Sequence, residues 1–286
     1  MMTRVEHHGM PGTNDESYAQ DLGSGLTGII SLLEQSSSVF DIGLMDSTMY
    51  LQACLAVDPD ASHLRTWEAL VTAMQLHDGM FAAAKQASGQ ISYRIADETR
   101  IISATGPTRN ANPGNWINAF WLTVVCRDQA RMTQLCEFDL TSLRASGAEY
   151  DDFMYGWVDS LQKYWMQRPG LIDKLQETIQ GSYPEAIHIA GLEIVEKILY
   201  QPIDLFHFFL QKDHEGFNHS LIKALEMHKS YWTATDERAR SVEGYLALGP
   251  LAVACLAYDA GFPITVTSDY IPSQLINRAW VGEFPT

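Results

Sequence analysis

The sequence predicts a mainly α protein, a multi-helix bundle or a short solenoid of packed helical hairpins, with one small β-hairpin near 91–103. Three observations lead there. Apolar residues recur at three- and four-residue intervals along most of the chain, as in Leu64, Trp67, Leu70, Val71 and Met74. The period shortens to two in "ISYRIADETRIIS" (Ile91–Ser103), where alternation flanks a polar centre, Ala96-Asp97-Glu98. The stretch "WINAFWLTVVCRD" (Trp116–Asp128) is apolar nearly all round, which places it in the middle of a helical core.

Residues 1–14 are polar and contain Gly9, Pro11 and Gly12, so they read as a mobile N-terminal segment. Residues 15–286 read as a single helical domain, with a candidate subdivision near 105–115. Helices are predicted near 15–35, 46–57 and 63–87, the last ending at Gly89. After the hairpin, "GPTRNANPGN" (Gly106–Asn115) is a loop by composition. The central helix is followed by a short one near 129–137. Asp152–Trp165 presents Phe153, Trp157, Leu161, Tyr164 and Trp165 on one face, and Arg168-Pro169-Gly170 ends it. Helices near 171–180 and 185–200 follow, the second with Ile187, Ile194 and Ile198 in one stripe, and Pro202 opens a short apolar segment, "IDLFHFFL". Asp213 or His214 starts the next helix, because an acidic residue suits the positive end of the helix dipole. Its apolar face is Phe217, Leu221, Leu225, His228 and Trp232. A helix near 236–258 precedes a tail ending in "GFPITVTSDYIPSQLI". The helices at 153–165 and 217–232 share a Phe-to-Leu spacing and a Tyr-Trp end, an echo that two helical-hairpin units or two ordinary amphipathic helices would both produce.

The balance of 19 basic and 35 acidic residues gives a net charge of −16. Such a surface repels nucleic acid and anionic membrane and attracts a basic partner. Residues 1–60 hold nine acids against one base, Arg4, which makes Asp41, Asp46, Asp58 and Asp60 the candidate partner-binding carboxylates. The four cysteines form no C-x-x-C pair and read as reduced core residues of a cytosolic protein. No signal peptide is visible, and the longest apolar run, Tyr245–Tyr258, is interrupted by Gly249 and Pro250 and is too short to span a membrane.

No catalytic, cofactor or metal signature emerges. "DHEGFNHS" is close to the zinc pattern H-E-x-x-H, but His214 and His219 are five apart, about 140° around a helix, so their rings diverge. Glu193 and Glu196 are spaced as ligand carboxylates can be, and as exposed helix faces often are. His7 and His8 fall in the predicted mobile segment. "GSGLTG" (Gly23–Gly28) follows no strand and is too short for a phosphate loop.

Several pieces taken in order resemble the immunity 49 family of bacterial polymorphic-toxin systems: "MTRVEHH" (Met2–His8), "FWLTVVCRD" (Phe120–Asp128), "SLQKYW" (Ser160–Trp165), "FNHSLIKALEMHKSYW" (Phe217–Trp232), "LALGPLAVACLAYDAGFPI" (Leu246–Ile264) and "SDYIP" (Ser268–Pro272). The resemblance covers most of the chain from about residue 116 and is less clear over 15–110. It implies a cytoplasmic protein, without cofactor, that binds and neutralises a cognate toxin, and it brings no active-site residue with it. The motif residues read as fold determinants: Trp165 and Trp232 close helices, Gly261 and Pro263 form a turn, Ser268 and Asp269 fix the C-terminal loop, and Pro272 opens a last short helix. An acidic inhibitor suits toxins that carry a basic substrate groove. A helical-repeat interaction module with another partner and a metal-dependent hydrolase remain the alternatives.

Overall fold

A computed structural model describes residues 2–9 and 15–286. The first element, β1 (Thr3–Arg4), precedes three helices packed in succession: α1 (Asp15–Ser31), α2 (Phe40–Val57) and α3 (Leu64–Ala84), with α2 lying against both neighbours. The hairpin β2 (Gln90–Ile95) and β3 (Glu98–Ser103) packs on α3. Its two-residue turn has positive φ at both Ala96 (50°) and Asp97 (65°), the handedness that matches the twist of the flanking strands. The Gln75 Oε1 accepts the Ala96 N–H at 2.9 Å and fixes the turn to α3.

The central helix α4 (Pro113–Cys126) begins where its sequence directs. Asn112 caps it by accepting the Asn115 N–H at 2.9 Å, and Pro113 occupies the first turn, where no N–H is needed. It ends at Arg127, whose left-handed backbone (φ 57°) turns the chain into α5 (Gln129–Cys136). The short α6 (Leu140–Arg144) leads to α7 (Asp152–Trp165), which packs on α8 (Leu171–Gly181). A one-turn α9 (Leu192–Ile194) runs into a π-helical segment, Val195–Leu199, and then into α10 (Gln201–Gln211). Next come α11 (His214–Trp232), α12 (Asp236–Arg240), α13 (Leu248–Asp259), β4 (Val266–Thr267) and α14 (Ser273–Ile276). The mainly α class, with one hairpin at 90–103, agrees with the sequence reading.

Ring contacts knit the core across four helices. Trp116 and Phe120 stack at 5.2 Å; Trp121 meets Trp157 at 5.9 Å, Trp157 meets Phe206 at 5.3 Å, and Phe217 meets Phe262 at 5.4 Å. Offset and edge-on aromatic pairs of this kind add to plain area burial. Arg127 ties this core to the C-terminal region. It pairs with Asp259 (Nε–Oδ2 3.1 Å) and donates to the carbonyls of Leu275 (2.7 Å) and Ile276 (2.9 Å), the end of α14 that lacks helical partners.

Three expectations change. Residues 185–200 are not one helix: 184–186 form a 3₁₀ turn, 187–191 are irregular, and helical geometry resumes only at Leu192. Asp151 causes this. It accepts the backbone N–H groups of His188 (2.7 Å), Ile189 (3.0 Å) and Ala190 (2.8 Å), which a helix would have pointed at carbonyls. The predicted helix at 236–258 is two, α12 and α13, separated by a segment in which Ala247 donates to the Tyr270 carbonyl at 3.0 Å. Residues 2–9, expected to be mobile, are docked: β1 pairs in parallel with β4, Val5 is buried, and Lys229 donates to the Glu6 carbonyl at 2.8 Å. The rest of that segment, residue 1 and residues 10–14, lies outside the described residues.

The paired helices at the sequence echo are arranged differently. α7 packs mainly on the helix that follows it, α8, and α11 on the one that precedes it, α10. The shared spacing therefore marks two inward faces rather than one hairpin unit in the same order.

Candidate functional site

The described residues form a cleft of about 890 Å³. Its walls come from seven parts of the chain: 41–52 on α2, His77 on α3, 110–122 at the start of α4, 149–157 leading into α7, 189–202 across the π-helical segment, Ala224, His228 and Trp232 on α11, and 243–250 at the start of α13. The lining is mainly aliphatic and aromatic, including Leu44, Ile117, Trp121 and Trp157. A concavity of this size and character is what a ligand or an inserted side chain needs. Two large apolar side chains at its edge face solvent, Met45 (57% exposed) and Ile189 (55%). Ile189 is held out by the Asp151 carboxylate, which fastens the backbone of 188–190. Those three N–H bonds outweigh the cost of burial and keep the Asp151 pKa below the usual carboxylate range.

The charges around the cleft are unequal. Asp41, Glu149 and Glu243 are exposed carboxylates; Lys197 is the one Lys or Arg among the described lining residues, and it is already paired with Glu193 (3.1 Å). Asp41 also accepts from Asn110. The floor has a buried amide, Gln201: its Nε2 donates to the Glu196 carbonyl at 2.6 Å, and its Oε1 has no partner among the described residues.

The four candidate aspartates do not form one cluster. Asp41 lies in the first turn of α2 and Asp58 just past its last, about 25 Å apart by helix rise. Asp41 reaches the cleft. Asp46 is partly exposed on the same helix, and Asp60 is exposed and accepts from Ser273 (3.3 Å). Asp58 is 4% exposed and fully engaged: it accepts from Ser62 N–H (3.0 Å), Ser62 Oγ (2.8 Å), His63 N–H (2.8 Å) and Thr66 Oγ1 (2.6 Å), organising the turn into α3. Burial pushes its pKa up, and these four donors more than reverse that.

Asp213 caps α11, accepting Gly216 N–H at 2.9 Å, and the exposed His214 ring lies against Phe262 at 4.2 Å. Among the described residues no three His, Cys, Asp or Glu side chains are grouped so that they could hold a metal ion. Glu193 forms ion pairs with Lys197 and Arg238, while Glu196 is exposed. The four cysteines are free and buried, and burial drives the Cys54 thiol up to about 11, away from nucleophilic thiolate character. Asp78, buried on α3, receives Arg131 at 3.1 Å and the Tyr93 hydroxyl. Burial raises its pKa to about 7 against the pull of the guanidinium, and the group joins the hairpin to α5 outside the cleft.

Sequence reasoning placed His7 and His8 in a free tail and His228 in the core. The structure brings all three together with Tyr245 and Tyr270. His7 and His8 stack at 4.8 Å, and His228 meets the Tyr270 ring at 4.9 Å and donates through Nε2 to the Gly244 carbonyl at 2.9 Å. Burial is the first cause lowering the His8 and His228 pKa values to about 4; neighbouring histidines add to it, as does Lys229 at His8. Trp232, read as part of the buried face, is only half-buried and packs beside Gly244.

No helix among the described residues is long and apolar enough to cross a membrane. Neither the curated proteins nor the solved structures contain a match. The family described as Immunity protein 49 matches residues 58–275, which takes in α3 and the hairpin as well as the region after residue 116, and leaves "MTRVEHH" outside the matched span. With most of its length matched, from the turn that Asp58 organises to α14, the chain belongs to the Immunity protein 49 family.

Proposed function

We propose that this protein is a non-enzymatic immunity protein that acts in the cytoplasm, binding a cognate toxin and neutralising it by forming a stoichiometric complex. The observation that carries the reading is the family match over residues 58–275. The net charge of −16 supports a toxin whose contact surface is basic, since opposite fields accelerate encounter and suppress wrong partners. The mainly apolar cleft with exposed carboxylates at its edge is also in keeping with a protein-binding role.

The test is a titration of toxin activity. Purified toxin encoded beside this chain's gene is mixed with increasing amounts of the protein, and residual toxicity is followed against molar ratio. Inhibition is expected to be complete at a fixed small-integer ratio, with both proteins chemically unchanged by mass spectrometry. One molecule of this protein inactivating many molecules of toxin is the result that would replace this reading with an enzymatic one.

A further inference from the structure

We infer that the cleft between α2, the start of α4, the 189–202 segment and the start of α13 is the toxin-docking site, and that its occupant is a protein segment with an apolar anchor flanked by Lys or Arg. This rests on the toxin-binding reading and adds where the toxin binds and what chemistry it presents.

Three independent features lead to this occupant. The first is shape: about 890 Å³ with a mainly apolar lining accommodates one or two large aliphatic or aromatic side chains, the anchors that dominate binding energy at protein interfaces. The second is exposure. Met45 and Ile189 stand more than half exposed at the edge, although neither is needed to close the core. The Ile189 position is imposed by three hydrogen bonds to Asp151, so the apolar edge is held in place rather than left by chance. The third is charge. Asp41, Glu149 and Glu243 leave the cleft edge negative, with Lys197 tied to Glu193. A segment that buries an apolar side chain between cationic flanks meets all three, whereas an acidic segment fails the third and a purely polar one fails the first two.

The Gln201 Oε1 in the floor adds a polar fixing point, since a backbone or side-chain N–H entering the cleft would supply the donor it lacks. The π-helical turn Val195–Leu199 lines the same wall, a backbone irregularity that recurs at functional sites.

Because Met45 and Ile189 are exposed, Met45→Arg and Ile189→Arg should leave folding intact, which thermal melts verify. Ile172→Arg, on α8 outside the cleft and also 55% exposed, is the control. Affinity for the toxin is measured by calorimetry with the full chain. Each cleft variant should weaken binding at least tenfold, the pair Glu149→Lys with Glu243→Lys should weaken it further at low salt, and Ile172→Arg should bind as wild type. Wild-type affinity at a fixed ratio in both cleft variants overturns the docking site and leaves the toxin-binding function standing. Failure of the wild-type protein to bind the toxin at all removes the function and the site together. A dimer in sedimentation equilibrium that Ile189→Arg dissociates would assign the cleft to a second copy of this chain and equally overturn the proposal.

Discussion

Tyr270 and His8 are 262 residues apart and bonded twice: the tyrosine hydroxyl accepts the His8 backbone N–H at 3.0 Å and lies 2.7 Å from the ring Nδ1, to which it can donate. Tyr270 is fully buried, so this contact closes the N-terminal strand onto the C-terminal segment from inside the protein. Removing the hydroxyl in Tyr270→Phe leaves the His8 N–H without its acceptor, at a cost of about 1–3 kcal/mol. Urea denaturation should show that loss, and limited proteolysis should cut within residues 1–9 faster than in wild type. Equal midpoints and equal cleavage would mean that the β1–β4 pairing, the buried Val5 and the Lys229–Glu6 bond hold the segment without the hydroxyl.

The same cluster predicts acid sensitivity. His8 and His228 titrate near 4 in the folded protein, against 6.5 for an ordinary imidazole. Between those values the unfolded chain binds more protons, so stability rises with pH across the window. It is fully present above about pH 6.5 and is lost as the pH falls toward 4. For the buried His228 alone, the full shift corresponds to ~3 kcal/mol. The melting temperature should decline through this range, less steeply than the histidines alone would give, because the buried Asp78 carboxyl, held near 7, takes up its proton in the folded state over the same window and opposes the loss. His228→Gln, which can still donate to the Gly244 carbonyl, should flatten the decline; an unchanged slope would exclude His228 as its source.

Much of the fold was legible because it is local. The bounds of α7 and the cap at Asp213 follow from periodicity and from one side chain's reach to the next turn. So does the hairpin, whose turn residues fall between two alternating runs. The failures are tertiary. The Ile187, Ile194 and Ile198 stripe has helical period, yet Asp151 captures the backbone at 188–190 from a distant part of the chain. Polarity suggested a mobile start, yet β1 finds its partner at Val266–Thr267. The cleft left no sequence signature, because seven separated parts of the chain build it and Met45 and Ile189 look like any other apolar positions on a helical pattern. Asp41 was singled out for charge and does lie at the cleft; Asp58, chosen by the same argument, has a structural task that only its four donors reveal.

That difference is measurable. Asp58→Ala removes the acceptor of two backbone N–H groups and two hydroxyls at a buried position and should destabilise by about 2–3 kcal/mol. Asp58→Asn keeps part of the acceptor capacity and should recover some of the loss. In both, the rate of association with toxin should equal wild type, since the carboxylate faces the protein interior. A slowed association with unchanged stability would return Asp58 to the contact surface.

The exposed carboxylates should behave in the opposite way. Asp41, Asp46 and Asp60 lie within the first sixty residues, which hold nine acids against one base, and each is at least partly exposed. Where these charges steer a basic toxin, reversing all three to lysine turns long-range attraction into repulsion. Encounter depends on that field, whereas the lifetime of the complex depends on short-range packing. Stopped-flow association at low ionic strength should therefore slow by about tenfold or more, with a smaller change in dissociation. Exposed charges are screened over about 8 Å at physiological salt, so added sodium chloride should bring the two association rates together. Thermal stability should hardly change, because exposed charges of this kind contribute little to folding. Equal low-salt association rates for wild type and the triple reversal would show that these carboxylates serve solubility and that the toxin is steered by another part of the acidic surface.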